Sequence, residues 1–363
     1  MKLQTKLCMT VCALALMAAS SNALAHDNKT TDPRSGPLGH APIGVMGDHM
    51  HDQGEFMLSY RYMTMDMDGN RIGSDSVTPE EIVTTIPNPF GSMPANLRVV
   101  PTEMRMDMHM FGAMYAPTDW LTGMVMVNYL YKEMDHITFD TGMGTNRVGT
   151  FTTATSGFGD TRLSGLIRLF EDDIHHLHLN AGLSLPTGSI TEEDDVLAPN
   201  LMTPRFRLPY AMQLGSGTFD AHPGMTYYGL NGRWGWGAQY TGEIRLENEN
   251  DEGYALGDKH AVTAWGAYQW QDWVSTSLRL SASTQDAIDG RDMRIMAPVQ
   301  TADPDNYGGE VVTAGLGANF YVTEGYLKGH RLAAEAEFPI HRDLNGPQME
   351  TDMVLTFGWQ KSF

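Results

Sequence analysis

Apolar and polar residues alternate with a period of two along most of this chain. In the segment 55–67, the even positions from 56 to 62 are apolar or aromatic, whereas positions 59 and 61 hold Ser and Arg. In the segment 175–186, Leu or Ala occupies every odd position from 177 to 185, between His, Asn, Gly and Ser. A helix repeats every 3.6 residues and would not sort the residues in this way. The pattern predicts β-strands with one apolar and one polar face.

Similar segments of roughly ten residues recur about twelve times. Charged residues lie within several of them on one face only, for example Arg168, Arg279 and Glu335. A soluble β-sandwich would show the same alternation, so the faces alone do not identify the architecture. The predicted strands cover residues 55–67, 103–116, 120–139, 158–170, 175–186, 210–228, 233–246, 259–271, 274–283, 310–322, 329–339 and 351–363.

The lengths of the connections distinguish the two architectures. Long and short links follow one another along the chain, as in a barrel with short periplasmic turns and long extracellular loops. No segment after residue 25 approaches the roughly 18 unbroken apolar residues of a spanning helix. A closed barrel is the other structure that satisfies its backbone groups in lipid. We therefore predict an all-β transmembrane, antiparallel up-and-down β-barrel of about 12 strands, with periplasmic termini, in the outer membrane of a Gram-negative bacterium.

The N-terminus has the pattern of a cleaved secretory signal. Lys2 and Lys6 precede an apolar run, and residues 23–25 read Ala-Leu-Ala before His26. Both cysteines, at positions 8 and 12, lie within residues 1–25. Without this segment the chain has 22 basic and 44 acidic residues, a formal charge of −22. That charge argues against nucleic acid as a partner.

The remaining chain divides into residues 26–54 and a barrel of residues 55–363. The segment 26–54 is rich in Pro, Gly and His. It could be a disordered periplasmic tail, because termini are often mobile, or a plug or lid folded into the barrel mouth. It could also bind metal.

Several motifs resemble those of bacterial outer-membrane proteins. The last strand carries Leu355, Phe357, Trp359 and Phe363 on one parity, interrupted by Lys361, which resembles the signal recognised by the barrel assembly machinery. Three stretches, residues 40–51 (HAPIGVMGDHMH), 60–69 (YRYMTMDMDG) and 210–220 (YAMQLGSGTFD), resemble the outer-membrane transporter family labelled meta-pathway of phenol degradation. The resemblance implies a barrel and transport, and it suggests aromatic hydrocarbons as a second substrate class.

Methionine is unusually abundant, with 26 residues. Met46, His49, Met50 and His51 bring thioethers and imidazoles together, a ligand set that suits copper. No cofactor is expected to be required. The alternative is that methionine serves as a flexible apolar filler.

The parity of each strand also predicts the residues that face the lumen. Met104, Met106, Met108 and Met110 have the parity opposite to Arg105 and are expected to face lipid. Inward charges could select solutes or could pair across strands and stiffen the interior. The predicted lumen residues are Arg61, Met63, Met65, Arg105, Asp107, Met124, Met126, Arg162, Arg168, His176, His178, Glu243, Arg245, Arg279, Glu335 and Glu337.

These observations favour a channel or transporter for small solutes, by passive or gated diffusion through a polar, partly Met-lined lumen. The expected partners are outer-membrane lipid, lipopolysaccharide, the assembly machinery and the solute. An outer-membrane hydrolase of the phospholipase kind is an alternative, although no nucleophile elbow is present and no spacing joins a Ser, a His and an Asp. A structural or metal-binding barrel without transport is another. His176 and His178 are interpreted as a polar lumen patch, because no third zinc ligand is identifiable.

Overall fold

The computed structural model describes residues 36–91 and 93–363, and the predicted signal peptide therefore lies outside the described residues. Strands make up most of this part of the chain, with one short α-helix, α1, over Pro79–Thr85. The strands are β1 (Phe56–Gly73), β2 (Asp75–Val77), β3 (Val99–Thr118), β4 (Leu121–Phe139), β5 (Arg147–Phe158), β6 (Thr161–Glu171), β7 (His175–Leu185), β8 (Glu193–Asp195), β9 (Arg205–Arg207), β10 (Asp220–Asn231), β11 (Trp234–Arg245), β12 (Tyr254–Ala255), β13 (Lys259–Gln271), β14 (Val274–Gln285), β15 (Asp289–Gly290), β16 (Gly309–Tyr321) and β17 (His330–Ser362).

The main sheet is antiparallel and closes on itself. Its order is β17, β16, β14, β13, β11, β10, β7, β6, β4, β3 and β1, and β1 pairs with β17 again. Phe56 and Phe363 exchange backbone hydrogen bonds of 3.2 and 2.7 Å at the seam. A closed sheet has no free edge, as a strand structure in lipid requires.

The last element contributes two passes to the wall. Residues 331–344 run antiparallel to β16, whereas residues 344–362 run antiparallel to β1. Because β16 and β1 point in opposite directions, the chain must reverse near Gly346, which has a φ of 60°. Eleven strand elements therefore form twelve passes, in agreement with the prediction of a β-barrel of about this size.

The connections differ in length between the two ends of the barrel. At the short-turn end, β3–β4, β6–β7, β10–β11 and β13–β14 are joined by a few residues each, and both Phe56 and Phe363 lie there. At the long-loop end, residues 74–98, 140–146, 186–219, 246–258 and 286–308 form the connections. The long loops pack together: Tyr210, Tyr254, Ile288, Ile295 and Val299 share one apolar cluster.

Some predicted boundaries are wrong. The predicted strand 210–228 begins only at Asp220, and Tyr210–Met212 forms a 3₁₀ helix within a loop. Tyr210 is buried among other loops, and Met212 is buried against Met104 and Met134 of strands β3 and β4, so neither faces lipid. Strand β5 was not predicted, because its run of Thr, Gly and Ala carries little apolar contrast. Helix α1 was also missed, although Thr78 and Glu81 form a capping box at its start.

Large apolar side chains point outward from the wall. Leu278, Leu316 and Leu332 are 54%, 64% and 53% exposed, whereas Arg279 and Glu335, which have the opposite parity in the same region, are 7% and 4% exposed. A soluble protein would place these groups the other way round. The apolar side of these strands therefore fits lipid as its surroundings. Among the residues that the structure describes, no helix is long and apolar enough to cross a membrane.

Candidate functional site: the plugged lumen

Residues 36–54, here called the plug, lie inside the barrel without forming a helix or strand. One limb lies against β14, β16 and β17. The Pro37 carbonyl accepts hydrogen bonds from Ser275 Oγ at 2.9 Å and Asn319 Nδ2 at 3.2 Å. The Ala41 carbonyl accepts from Arg331 at 2.7 Å, in a contact where both partners are buried.

The middle of the plug lies against the other side of the wall. The Met46 carbonyl accepts from Gln239 Nε2 at 2.9 Å, and the Gly47 carbonyl accepts from His178 Nε2 at 2.9 Å. Arg61 donates to the Val45 carbonyl at 3.3 Å. Irregular backbone away from water needs hydrogen-bond partners, and here the inward side chains of the strands provide them.

Apolar contacts reinforce the position of the plug. Leu38, Ala41 and Val45 pack with Tyr228 and Trp265 of the wall in one buried cluster. On the other side, Met50 packs with Met57, Met114 and Leu166. The plug is thus held on several sides of the barrel.

Most of the predicted inward charges contact an opposite charge. Arg279 bonds to Glu335 at 2.6 Å and also to Glu337, and Gly44 of the plug donates its N–H to Glu335 at 2.7 Å. Arg245 pairs with Asp220 at 2.5 Å and with Glu243 at 2.7 Å. The longer pairs are Arg162 with Glu243 at 3.9 Å and Arg168 with Asp52 of the plug at 4.0 Å.

The two predicted lumen histidines have different partners. His178 bonds to the Gly47 carbonyl of the plug, and His176 lies 3.4 Å from a carboxylate oxygen of Glu171. His178 therefore helps to hold the plug, whereas His176 contacts the wall; among the described residues, no group of three potential metal ligands includes either histidine.

The predicted orientation of strand β3 is wrong. Arg105 and Asp107 pair in register with Asp66 and Thr64, on the face opposite to Arg61, and the Arg105 side chain is 55% exposed. Asp107 accepts a hydrogen bond from Tyr62 on the same outer face. Strands β3 and β4 have 20 and 19 residues, more than the roughly 9–11 that cross the hydrocarbon layer. Their ends at the long loops therefore project into the polar region, where outward charges are tolerated.

Methionines instead occupy the inner face of three adjacent strands, which we call the methionine wall. Across β1 and β3, Met57 pairs with Met114, Met63 with Met108, Met65 with Met106 and Met67 with Met104. Across β3 and β4, Met114 pairs with Met124 and Met104 with Met134. Met126 follows two positions after Met124, on the same face, beside Gly112. The methionine wall runs from the short-turn end to the long-loop end and comprises Met57, Met63, Met65, Met67, Met104, Met106, Met108, Met110, Met114, Met124, Met126 and Met134.

A cavity of about 270 Å³ lies beside the plug on its long-loop side. Met46 and Gly47 of the plug, Met124 of the methionine wall, and the charged side chains of Arg162 and Glu243 line it. Loop 186–219 covers the methionine wall at its outer end, where Leu208 and Met212 pack against Met104 and Met134. The lumen therefore contains a chamber with both polar and apolar lining between the plug and the strands of the wall.

The plug also contains a cluster of His40, Asp48 and His49. One potential ligand atom from each residue lies within 4.8 Å of the others. His49 Nδ1 lies 3.1 Å from Asp48 Oδ1, and His40 Nδ1 lies 4.0 Å from Asp48 Oδ2. Burial lowers the pKa of His40 well below its usual value, which favours the neutral imidazole.

Of the four residues predicted to bind metal at positions 46–51, one belongs to this cluster and a second lies beside it. His49 belongs to the cluster, and the ring of His51 lies 4.9 Å from that of His49. The thioether of Met50 packs among apolar residues, and Met46 lines the cavity. Sequence reasoning missed His40 and Asp48, because it assumed ligands adjacent in sequence. The chain turns between His40 and Asp48: the Val45 N–H bonds to the Pro42 carbonyl, and Gly47 has a φ of 61°. The Pro and Gly residues of this turn are the sequence signal that could have indicated that the two residues lie close together.

Comparisons with known proteins identify the fold. No protein-family model matches the chain, and no curated protein matches it in sequence. Among solved structures, the COG4313 outer membrane channel from Pseudomonas putida F1 is similar with a TM-score of 0.56 and 14% identity, over 88% of this chain and 99% of that one. A Pseudomonas aeruginosa FadL homologue gives a TM-score of 0.44 at 10% identity, over 90% and 98% of the two chains. A mutant of the monoaromatic hydrocarbon channel TodX gives 0.45 at 10% identity, over 87% and 92%. The first of these similarities assigns this chain the fold of an outer-membrane channel barrel.

Proposed function

We propose that this protein is an outer-membrane channel for small, largely apolar solutes, which pass along the methionine wall when the plug moves aside. The observation that carries the proposal is the methionine wall itself. Its cross-strand pairs place thioether side chains next to one another along the length of a lumen that is otherwise polar.

Methionine suits such a path for physical reasons. Its side chain is unbranched, polarizable and adaptable, and it makes favourable contacts with aromatic rings of about 0.3–1.5 kcal/mol. Flexible Met-rich surfaces accept partners of different shapes. Leu130, which pairs with Met108, continues the apolar surface on β4. Small aromatic hydrocarbons are therefore the substrate class that the wall fits best.

The plug is suited to act as a gate. It is bound by side-chain hydrogen bonds from the wall and by apolar contacts, and residues 36–54 add no strand to the sheet. Its displacement would therefore leave the barrel's own backbone hydrogen bonds intact. The cavity of about 270 Å³ beside it offers room for a small solute before the plug moves.

The test measures entry of an apolar aromatic fluorophore, 1-N-phenylnaphthylamine, into bacterial cells that make the protein. We expect faster initial uptake than in cells without it, and a loss of that increase in Met108→Asp, which places a charge between Met63 and Leu130. Asp107→Asn, one position away on the outer face, is the matched control and should keep the increase. Heat-dependent gel mobility reports whether each barrel has folded. Equal uptake with and without the folded protein would refute the proposal.

A further inference from the structure

We propose that the plug binds one divalent late transition-metal ion of the zinc or copper(II) type, through His40, Asp48 and His49. Two imidazoles and a carboxylate are common ligands of such ions. The thioethers of Met46 and Met50 are not part of the proposed ligand set. The inference concerns a site within the plug and does not depend on which solute the barrel transports.

The strongest argument is the number of buried ring nitrogens without a partner. His49 is 7% exposed; its Nε2 has no hydrogen-bond partner, and its Nδ1 faces Asp48 Oδ1 at 3.1 Å. His40 Nδ1 and His51 Nε2 are buried and equally unpartnered. Buried polar groups are normally hydrogen-bonded, because an unpaired one loses its interaction with water without replacement. A metal ion would provide the missing partner for several of these nitrogens at once.

The geometry needs only a small adjustment. Tetrahedral ligands at about 2.0–2.2 Å from zinc lie roughly 3.4 Å from one another. The corresponding atoms here lie within 4.8 Å, and two of them are already 3.1 Å apart. A cavity of about 10 Å³, close to the size that a single water molecule needs, adjoins His40 and Asp48. Rotation of the side chains towards a common centre would therefore complete the site.

Groups around the cluster orient its ligands. Asp48 Oδ2 accepts the Ala41 N–H at 2.8 Å, which fixes the carboxylate between the two limbs of the plug. His51 Nδ1 lies 3.3 Å from Glu55 Oε2, the carboxylate–histidine arrangement often found beside metal ligands. That contact directs Nε2 of His51 away from Glu55, and the His51 ring lies 4.9 Å from that of His49. Asp48 offsets part of the positive charge of the nearby Arg331, which bonds to the Ala41 carbonyl.

The experiment titrates Zn²⁺, and separately Cu²⁺, into the detergent-solubilised protein that lacks residues 1–25, with calorimetry for Zn²⁺ and electron paramagnetic resonance for Cu²⁺. We expect one ion per chain, and a copper spectrum with splitting from at least two imidazole nitrogens. His40→Gln and His49→Gln should each weaken metal binding by at least about 10- to 100-fold, which is the loss expected even for a residue that only orients a ligand. Glutamine retains hydrogen-bonding groups, so a variant that folds tests ligation and not packing alone.

His109→Gln is the matched control. His109 lies on the outer face of β3, where its Nδ1 contacts the Tyr60 hydroxyl at 2.8 Å, far from the plug in the register of the wall. Binding should be unchanged in this variant. Absence of binding in the unmodified protein would overturn the proposal. Equal affinity in His40→Gln, His49→Gln and His109→Gln would do so as well, because it would place the ion elsewhere.

Discussion

Arg331 and Arg105 are both arginines within barrel strands, yet their surroundings are opposite. The Arg331 side chain is buried and contacts the Ala41 carbonyl, Asn319 at 2.6 Å and Gln360. The Arg105 side chain is 55% exposed and contacts Asp107 across the outer surface. A charged residue in a strand therefore does not by itself identify the lumen; its register with neighbouring strands does.

Replacing these arginines should have very different effects. Arg331→Met removes a buried charged donor and leaves three acceptors without it, so the free energy of unfolding should fall by at least about 1.5–3 kcal/mol. Arg105→Met should change it by less than about 1 kcal/mol, as is usual for exposed ion pairs. Urea unfolding of both variants in detergent, monitored by tryptophan fluorescence, measures the difference. Similar losses in the two variants would contradict the assigned environments.

The contrast between Arg331 and Arg105 also shows for which strands the sequence could predict the face that points inward. Inward charges such as Arg279 and Glu335 could be predicted because the alternation in their strands is regular and the outer face is mostly apolar. In β3 both faces are mixed: one holds methionines and the other holds charges and aromatics. Parity separates the two faces but does not say which one is inside, and hydrophobicity gave the wrong answer because the methionines line the lumen.

At the scale of elements, loop 186–219 has a structural role that its polar sequence does not reveal. Strand β4 pairs with β5 in the half nearer the long-loop end and with β6 in the half nearer the short-turn end. Among the residues that the structure describes, β5 pairs in the main sheet with β4 alone, so its other edge has no partner strand in the wall. The loop covers this edge: Thr155 donates to the Met212 carbonyl at 2.8 Å, and Ala154 donates to Asp194 at 3.0 Å.

Lys132 of β4 anchors this loop from inside the barrel. Its Nζ donates to the carbonyls of Ala211 and Gln213, at 2.8 and 2.5 Å. Lys132→Met should loosen the loop without opening the barrel, and backbone amides in residues 210–214 should exchange with deuterium about tenfold faster, equivalent to about 1.4 kcal/mol. Lys361→Met, which removes an exposed bond to the Lys328 carbonyl, is the control and should leave this exchange unchanged. Unaltered exchange in Lys132→Met would show that the contact does not hold the loop.

Helix α1 offers a second prediction for an element. Thr78 accepts the Glu81 N–H, and Glu81 accepts the Thr78 N–H, a reciprocal cap. Thr78→Ala should destabilise the helix locally by about 1 kcal/mol. Thr84→Ala, which removes only a hydroxyl bonded to the Glu80 carbonyl, should have a smaller effect. Hydrogen exchange at residues 82–86 measures both, and an equal effect of the two changes would argue against the cap.

For the molecule as a whole, the architecture followed from the sequence more fully than the position of the plug. Strand alternation and loop lengths predicted a closed barrel because both are consequences of lipid on one side and short turns at one end. The segment 36–54 has no periodicity, since its shape depends on contacts with many strands. Contacts such as Gln239 with Met46 and Ser275 with Pro37 join residues about 200 positions apart, and no local pattern encodes them.

The central claim is that the plug closes the lumen and that its displacement opens a path. A Cβ atom at position 358 would lie 2.7 Å from Ile43 Cγ1, so the two positions are in contact and we expect Ile43→Cys with Gly358→Cys to form a disulfide. Both natural cysteines lie at positions 8 and 12, within the predicted signal peptide. The double variant without residues 1–25 therefore has a single disulfide that ties the plug to β17.

The most direct measurement is the conductance of this double variant in planar bilayers, before and after reduction, beside a variant that also lacks residues 36–54. The oxidised protein should be silent, reduction should restore the intermittent opening of the unmodified barrel, and the plug deletion should conduct continuously. Equal conductance in the oxidised, reduced and plug-deleted proteins would contradict the claim that this segment gates the barrel.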